Sequence, residues 1–539
     1  MNFLKKIISS EVFFFFGVAA LVLFVRLRYI DIALERDEGE YAYAAQEILR
    51  GHIPYLHFYN MKLPGTYFGY ALMFWIGGDS VITIKTGLII LNALSTLMVF
   101  LIAQKMFDRK TAWLSAAVYL LYSLSLNALG FTNNAEHFVI LPALMGIFCI
   151  LQAYYKKAAT RYILYVMAGA FLAFAYICKQ HAFGYILFLP FWLLIKDKSY
   201  ASLNKFLRQF VAPMLAYGLG AAVVIGFMLF YFYKNNALKE LDFYTNKYAL
   251  SYISQAVPFK QIWLFRPIFW DAPVFWFVQF ATLYFAFRRP TIFKERTFLL
   301  LFWFCTFLCI HPGWFYRPHY FQLMFPGAAI ITGVGLTLVN DFWQRLRTDY
   351  TPSVFRWLAV IACAISQFGY YFTWNNSETL YACYGNEGFD LMRIIGEKLK
   401  KTTQPNDKIA ILCPEPEVLF YAKRQSASGF LYHYPLIENH IYANNMTHQF
   451  MEEAEKNDPK ILLYHCGIDN EIGSDVNLET RQMLIEWFQN YSKKYKLIGQ
   501  IYNNEKNVPQ LNFPEKNKPL NDANNVWFYI LEKSKNNVF

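Results

Sequence analysis

Charge is scarce in this sequence. Only 16% of its 539 residues are Asp, Glu, Lys or Arg, where a soluble globular chain carries about 25%. Cysteine is sparse as well: there are eight, none in a CxxC pair. Cys149, Cys178, Cys305, Cys309 and Cys363 fall in apolar runs and read as small core residues. Cys383, Cys413 and Cys466 lie in the polar C-terminal part, and an odd number implies no disulfide framework. The histidines show no HExxH spacing, and the polar tail holds no Gly-rich phosphate loop. No module interleaves basic and aromatic residues in the way that binds nucleic acid.

What the chain has in abundance is apolar surface. It is 56% hydrophobic, with 53 Phe and 39 Tyr. Apolar runs of near-spanning length recur through the first two thirds, which predicts a multi-pass membrane protein with about eleven spans. The first, near Val12 to Val25, follows Lys5 and Lys6 and has Arg26 and Arg28 at its far end, so it reads as an uncleaved anchor. Thr66 to Ile76 is apolar but too short to cross and is expected at the interface. The net charge of +12 comes from Lys and Arg gathered in short loops such as "QKMFDRK", "KKAATR", "RRPTIFKER" and "QRLRTDY". Under the span count these loops share one side, which puts the N-terminus inside and the tail outside. The expected division is a membrane part, 1–374, with a first outer loop at 31–80, followed by a polar domain, 375–539. In the latter "KIAILC", "KILLYHC", "KLIGQIY" and "VWFYILEK" read as strands. "GFDLMRIIGEKLKK" and "ETRQMLIEWFQNYSKKY" have helical spacing, and the alternation predicts an α/β domain. The fold class expected is therefore an α-helical multi-pass membrane protein with a C-terminal α/β extracytoplasmic domain.

The unusual polar residues map to one rim. Asp37, Glu38, Glu40 and Lys62 lie in the first outer loop, and Glu136 and His137 follow the third span. Lys179, Gln180 and His181 follow the fifth, and His311, Arg317 and His319 the ninth. Charge at membrane depth is costly and usually faces a cavity or a partner. Four loops bringing acids and bases to one edge therefore predict one outward-facing site. Asp37 has two compatible readings. It caps a helix, with Glu40 closing an Asp-x-x-Glu capping box, or it serves as a general base. Lys62 before Leu-Pro-Gly, Arg317 before Pro318, and Lys179 at a span end either snorkel to headgroups or clamp a phosphate.

The stretch "RDEGEYAYAAQEILRGHIPY" followed by "YNMKLPGTYFGYALMFWIGG" resembles the first outer loop of the GT-C membrane glycosyltransferases. The similarity is to the branch containing lipid A aminoarabinose transferases and protein O-mannosyltransferases. Asp37 and Glu38 match the family's acidic pair, and Lys62 matches its Lys. Leu63-Pro64 stands for Pro-Pro, and Met61 stands where relatives often carry Glu. "YICKQHAFGYILFLP" and "YRPHYFQLMFPGAAI" resemble two later segments, carrying Lys179 and then Arg317 with Tyr320.

The resemblance implies a polyprenyl-phosphate sugar as donor and a glycan, lipid or protein as acceptor. It implies Asp37 and Glu38 as catalytic residues, with Asp37 the base, and Lys62, Arg317 and Lys179 on the donor phosphate. Tyr41, Glu136, His137, His181, His319 and Tyr320 would then contact sugar or acceptor, and the anomeric carbon would invert. The resemblance leaves a divalent metal open and names no other cofactor. The location implied is the bacterial cytoplasmic (inner) membrane, with the bilayer and no nucleic acid as partner. A lipid or sugar flippase is the alternative. It would be expected to show charged or broken helices near the midplane and two related halves, whereas the polar residues gather at one rim and no half-to-half repeat is seen. A non-catalytic scaffold with an outer receptor domain is a third class.

Overall fold

The apolar runs become helices. The computed structural model describes residues 10–156, 158–196, 202–254, 259–293, 295–345, 351–470, 476–504, 508–513 and 526–534. Among these, five helices are long and apolar enough to cross a membrane: Val81–Met106, Ala135–Tyr154, Ala159–Cys178, Leu203–Lys234 and Pro318–Trp343. A sixth arises if Ile262–Asp271 and Pro273–Arg288 form one span bent by 114°. The protein is an integral membrane protein of mainly helical fold. All eleven apolar segments expected from the sequence contain helix, but several are short or interrupted. The sixth, near residues 180–196, divides into Gln180–Ala182, Phe183–Ile186 and Phe188–Lys196. The eighth is bent at Ala272–Pro273, because proline cannot donate the hydrogen bond that would carry the helix through. Arg26, read as a flanking charge, is instead buried and donates to the carbonyls of Gly130 (2.8 Å) and Ser123 (3.1 Å).

The C-terminal region builds a five-stranded mixed sheet from β1 (Ile409–Leu412), β2 (Ile461–His465), β3 (Tyr495–Asn503), β4 (Pro509–Asn512) and β5 (Val526–Lys533). The order is β1-β2-β5-β3-β4; β1 and β2 are parallel, and the other pairs are antiparallel. The four strands read from sequence are present. β4 and the helix Ala443–Asn457 are additions.

Two amphipathic pieces join the halves. The first-loop helix Arg36–Leu49 packs on the short apolar helix Gly65–Gly77 on one side and on Glu417–Ala422 on another. Gly39 makes the second approach possible, since a Cβ there would lie 2.2 Å from the Cβ of Glu417. Further along the loop, the Tyr59 amide donates to Gly429 O at 2.7 Å, and its hydroxyl donates to Glu453. The segment from Arg36 to Lys62 is thus enclosed between the apolar helices and the sheet region.

Candidate active site

The helix Arg36–Leu49 decides where each acid points. Its N-cap is Glu35, whose carboxylate accepts from the amides of Asp37 and Glu38, both at 3.0 Å. This corrects the capping reading of Asp37: the cap lies two residues earlier, and the Asp37 side chain does no capping. Asp37 and Glu40, three apart, share a face, while Glu38 lies about 100° around. Lys62 meets that shared face. Its Nζ donates to Asp37 Oδ1 at 2.7 Å and to Glu40, and it lies 4.5 Å over the Tyr41 ring. Tyr67 and Tyr432 donate to the remaining positions on Glu40, the latter at 2.7 Å. His319 Nε2 is 3.9 Å from the other oxygen of Asp37.

A second ion pair adjoins the first. Lys179 bridges to the buried Glu136 and lies 4.3 Å over the Tyr320 ring. His181 and His319 flank the same ring, at 4.2 and 4.9 Å. Burial raises the proton affinity of Asp37, but the charges of Lys62, His319 and Lys179 outweigh it. Its carboxyl is held well below the ordinary carboxylate range, so it is ionised at neutral pH. The pair is partly open: the side chains of Asp37 and Lys62 are 26% and 27% exposed, whereas Glu40 and Glu136 are fully buried.

Arg317 stands at the rim. It is exposed, hydrogen-bonds Tyr252, and lies 5.8 Å over the Phe315 ring. Among the described residues no carboxylate forms an ion pair with it. Lys62 and Lys179 are neutralised by acids, so Arg317 is the cation of this group whose charge is open.

Of the residues singled out from sequence, Asp37, Tyr41, Lys62, Glu136, Lys179, His181, His319 and Tyr320 converge, and Arg317 borders them. Three do not. Glu38 points to Lys85, whose Nζ donates to both carboxylate oxygens at 2.7 Å in a pair that is 0% and 3% exposed. His137 faces Asn92 at 3.3 Å, and His311 is packed among Phe307, Trp314 and Tyr316. Sequence reasoning missed Lys85, Tyr67 and Tyr432. Lys85 could have been found as a charge inside an apolar run. Tyr432 lies 392 positions from Glu40 and carries no local signal. Among the described residues no three His, Cys, Asp or Glu side chains gather as a metal group. The cluster's acids are turned to lysines and tyrosines, so no step here is routed through a metal.

Residues 62–232 match the family described as dolichyl-phosphate-mannose-protein mannosyltransferase. The chain is also similar to ArnT from Cupriavidus metallidurans in its apo state (TM-score 0.60, 13% identity, 96% of this chain and 96% of that one). ArnT bound to undecaprenyl phosphate gives a TM-score of 0.58 at 14% identity, covering 85% and 94%. AglB, an archaeal oligosaccharyltransferase from Archaeoglobus fulgidus solved with an inhibitory peptide and a dolichol-phosphate, gives 0.51 at 13%, covering 94% and 75%. No curated protein sequence matches the chain significantly. The chain shares the fold of these structures over most of its length, and residues 62–232 carry the family match.

Proposed function

We propose that the protein transfers a sugar from a polyprenyl-phosphate donor to an acceptor at the extracytoplasmic face, inverting the anomeric carbon, with Asp37 as general base. The observation that carries this reading is the partly exposed Asp37–Lys62 pair beside a rim arginine that, among the described residues, makes no ion pair with a carboxylate. A lipid donor arrives sideways from the bilayer, so its phosphate must be met at a membrane edge by cations. Its phosphate is already a good leaving group, so the chemistry needs a base for the acceptor and positive charge for the departing phosphate.

In the reaction, the acceptor oxygen bonds to the anomeric carbon as the bond from that carbon to the phosphate oxygen breaks. The acceptor proton goes to Asp37, and the phosphate leaves with the bonding electrons and one further negative charge. Arg317 and Lys62 stabilise that charge. Paired with Lys62, Asp37 is a weak base. A phosphate docked on Lys62 draws the ammonium toward itself and restores the carboxylate's proton affinity. Lys179, held on Glu136 and Tyr320, supports the same end of the site. Glu136, His181, His319, Tyr320 and Tyr41 line the space for sugar or acceptor. Glu38, paired with Lys85, positions the helix rather than reacting.

The test is turnover. Purified protein in lipid nanodiscs, given a polyprenyl-phosphate sugar and an acceptor, releases polyprenyl phosphate and forms product of inverted configuration. A flippase would leave the donor chemically intact, and a retained configuration would exclude the single displacement. The same reading places residues from 375 onward outside a bacterial inner membrane. A phosphatase reporter fused near residue 380 is then active, and one fused near Lys156 is silent.

A further inference from the structure

The sheet region has a cavity that the ion-pair cluster does not use. β2 runs parallel to β1, β5 runs against β2, and β3 runs against β5. The carboxyl ends of β1, β2 and β3 therefore meet the amino end of β5 along one edge. Pro414 lies just past the end of β1, His465 and Asn503 close β2 and β3, and Trp527 opens β5. These four residues line a cavity of about 370 Å³, together with Tyr434 and Glu387. Carboxyl strand ends where neighbouring crossovers diverge are where open α/β sheets hold ligands, and the volume is that of a small-molecule site.

The lining has a definite chemistry. Trp527 and Tyr434 offer aromatic surface with a polar tip. The His465 ring meets the Trp527 indole edge-on at 5.5 Å, and His433 stacks parallel to His465 at 6.2 Å. Two polar atoms on this edge, the indole Nε1 of Trp527 and Oδ1 of Asn503, are buried without a hydrogen-bond partner among the described residues. One is a donor and the other an acceptor. The fixed charge is already matched, since Glu387 accepts from Arg36 at 2.8 Å. Among the described residues the cavity thus provides aromatic faces, imidazoles and carboxamides with no free cation. That combination suits a neutral, hydroxyl-rich ring: its C–H face stacks on an aromatic, and its hydroxyls both donate and accept.

The wall of this cavity is tied to the cluster. Arg36, the residue before Asp37, donates to Pro414 O at 2.7 Å and lies 5.7 Å over the Tyr434 ring. We propose that this cavity is a saccharide-binding subsite that holds the acceptor, which makes the acceptor a glycan. The acceptor role rests on the transfer reading above, whereas saccharide binding does not.

Saturation-transfer NMR on the full-length protein in detergent tests binding without turnover. The probes are a panel of α- and β-linked hexose disaccharides and a panel of hydrophilic tripeptides. Disaccharide ring protons receive saturation from the wild type and the tripeptides do not. Trp527→Ala and, separately, Asn503→Ala each weaken the signal about tenfold, with the thermal transition retained in at least one of them. Given a working transfer assay, the same variants raise the acceptor KM and leave donor hydrolysis by water unchanged. Saturation of the tripeptides alone, of neither panel, or of disaccharides equally in wild type and both variants overturns the subsite. A wild type that binds disaccharides but consumes no donor overturns the transfer reading and keeps the cavity as a saccharide site.

Discussion

Two carboxylates one residue apart on the first-loop helix have opposite surroundings. On the inner side, Glu38 and Lys85 form a dry pair, and the Asn133 amide adds a further hydrogen bond to Glu38 at 2.7 Å. On the outer side, Asp37 shares Lys62 with Glu40 and is partly exposed. The helical turn of about 100° between successive residues produces this separation. The comparison teaches that an acidic pair in sequence is not a catalytic pair in space. One member fastens the helix to a membrane span, and only the other is placed where a substrate could exchange for the lysine.

Breaking the inner pair should have the largest effect. Lys85→Met leaves Glu38 buried with its cation gone, and removing one partner of a buried pair costs about 3–5 kcal/mol. Thermal unfolding in detergent should show a large loss of stability, and a melting temperature near wild type would place Glu38 in contact with water after all. On the outer side, Arg317→Ala removes a charged hydrogen bond to the donor phosphate, worth about 1.5–3 kcal/mol, or about 10- to 150-fold in donor use. Unchanged donor kinetics would take Arg317 out of the site.

A third prediction sharpens the contrast through pH. Burial raises the Glu35 and Glu415 carboxyls, each to about 8; the neighbouring acids Asp37 and Glu38 add to it at Glu35, while Arg36 offsets part of it at Glu415. Both groups lie where the helix meets the sheet region. Between the ordinary value of 4.5 and about 8 the folded chain binds more protons here than the unfolded one. Stability therefore falls as pH rises through this window. Glu415→Gln should flatten the decline in melting temperature, and an equally steep decline would assign it to other groups. The smallest effect is expected from Tyr432→Phe, which removes one hydrogen bond to Glu40. It should cost about 1–3 kcal/mol and slow transfer without abolishing it. Loss of activity as complete as that of an Asp37 variant would make Tyr432 a reacting group.

Much of this was legible in the sequence because its signals were local. Apolar runs marked the helices, short apolar runs marked β1, β2, β3 and β5, and charges at one rim brought most of the cluster together. The misreadings have physical causes. Glu35 is an uncommon N-cap, since Ser, Thr, Asp and Asn lead at that position, so Asp37 was the natural candidate for the cap. Glu38 was taken with Asp37 because adjacency conceals the turn of the helix. Tyr432 and the Gly39–Glu417 contact depend on folding of the chain over hundreds of residues, which no spacing encodes.

The central claim is that the outer carboxylate reacts and does not merely hold the helix. It is tested most directly by measuring transfer rate and thermal stability side by side for Asp37→Asn. Asn keeps the size and can still accept a hydrogen bond from Lys62, and Glu35 supplies the cap, so the variant should melt close to wild type. It loses the basic carboxylate, for which general-base catalysis supplies about 10²–10⁴-fold. A folded variant with transfer reduced by that factor is the predicted result. A folded variant that transfers within about threefold of wild type would contradict Asp37 as the base.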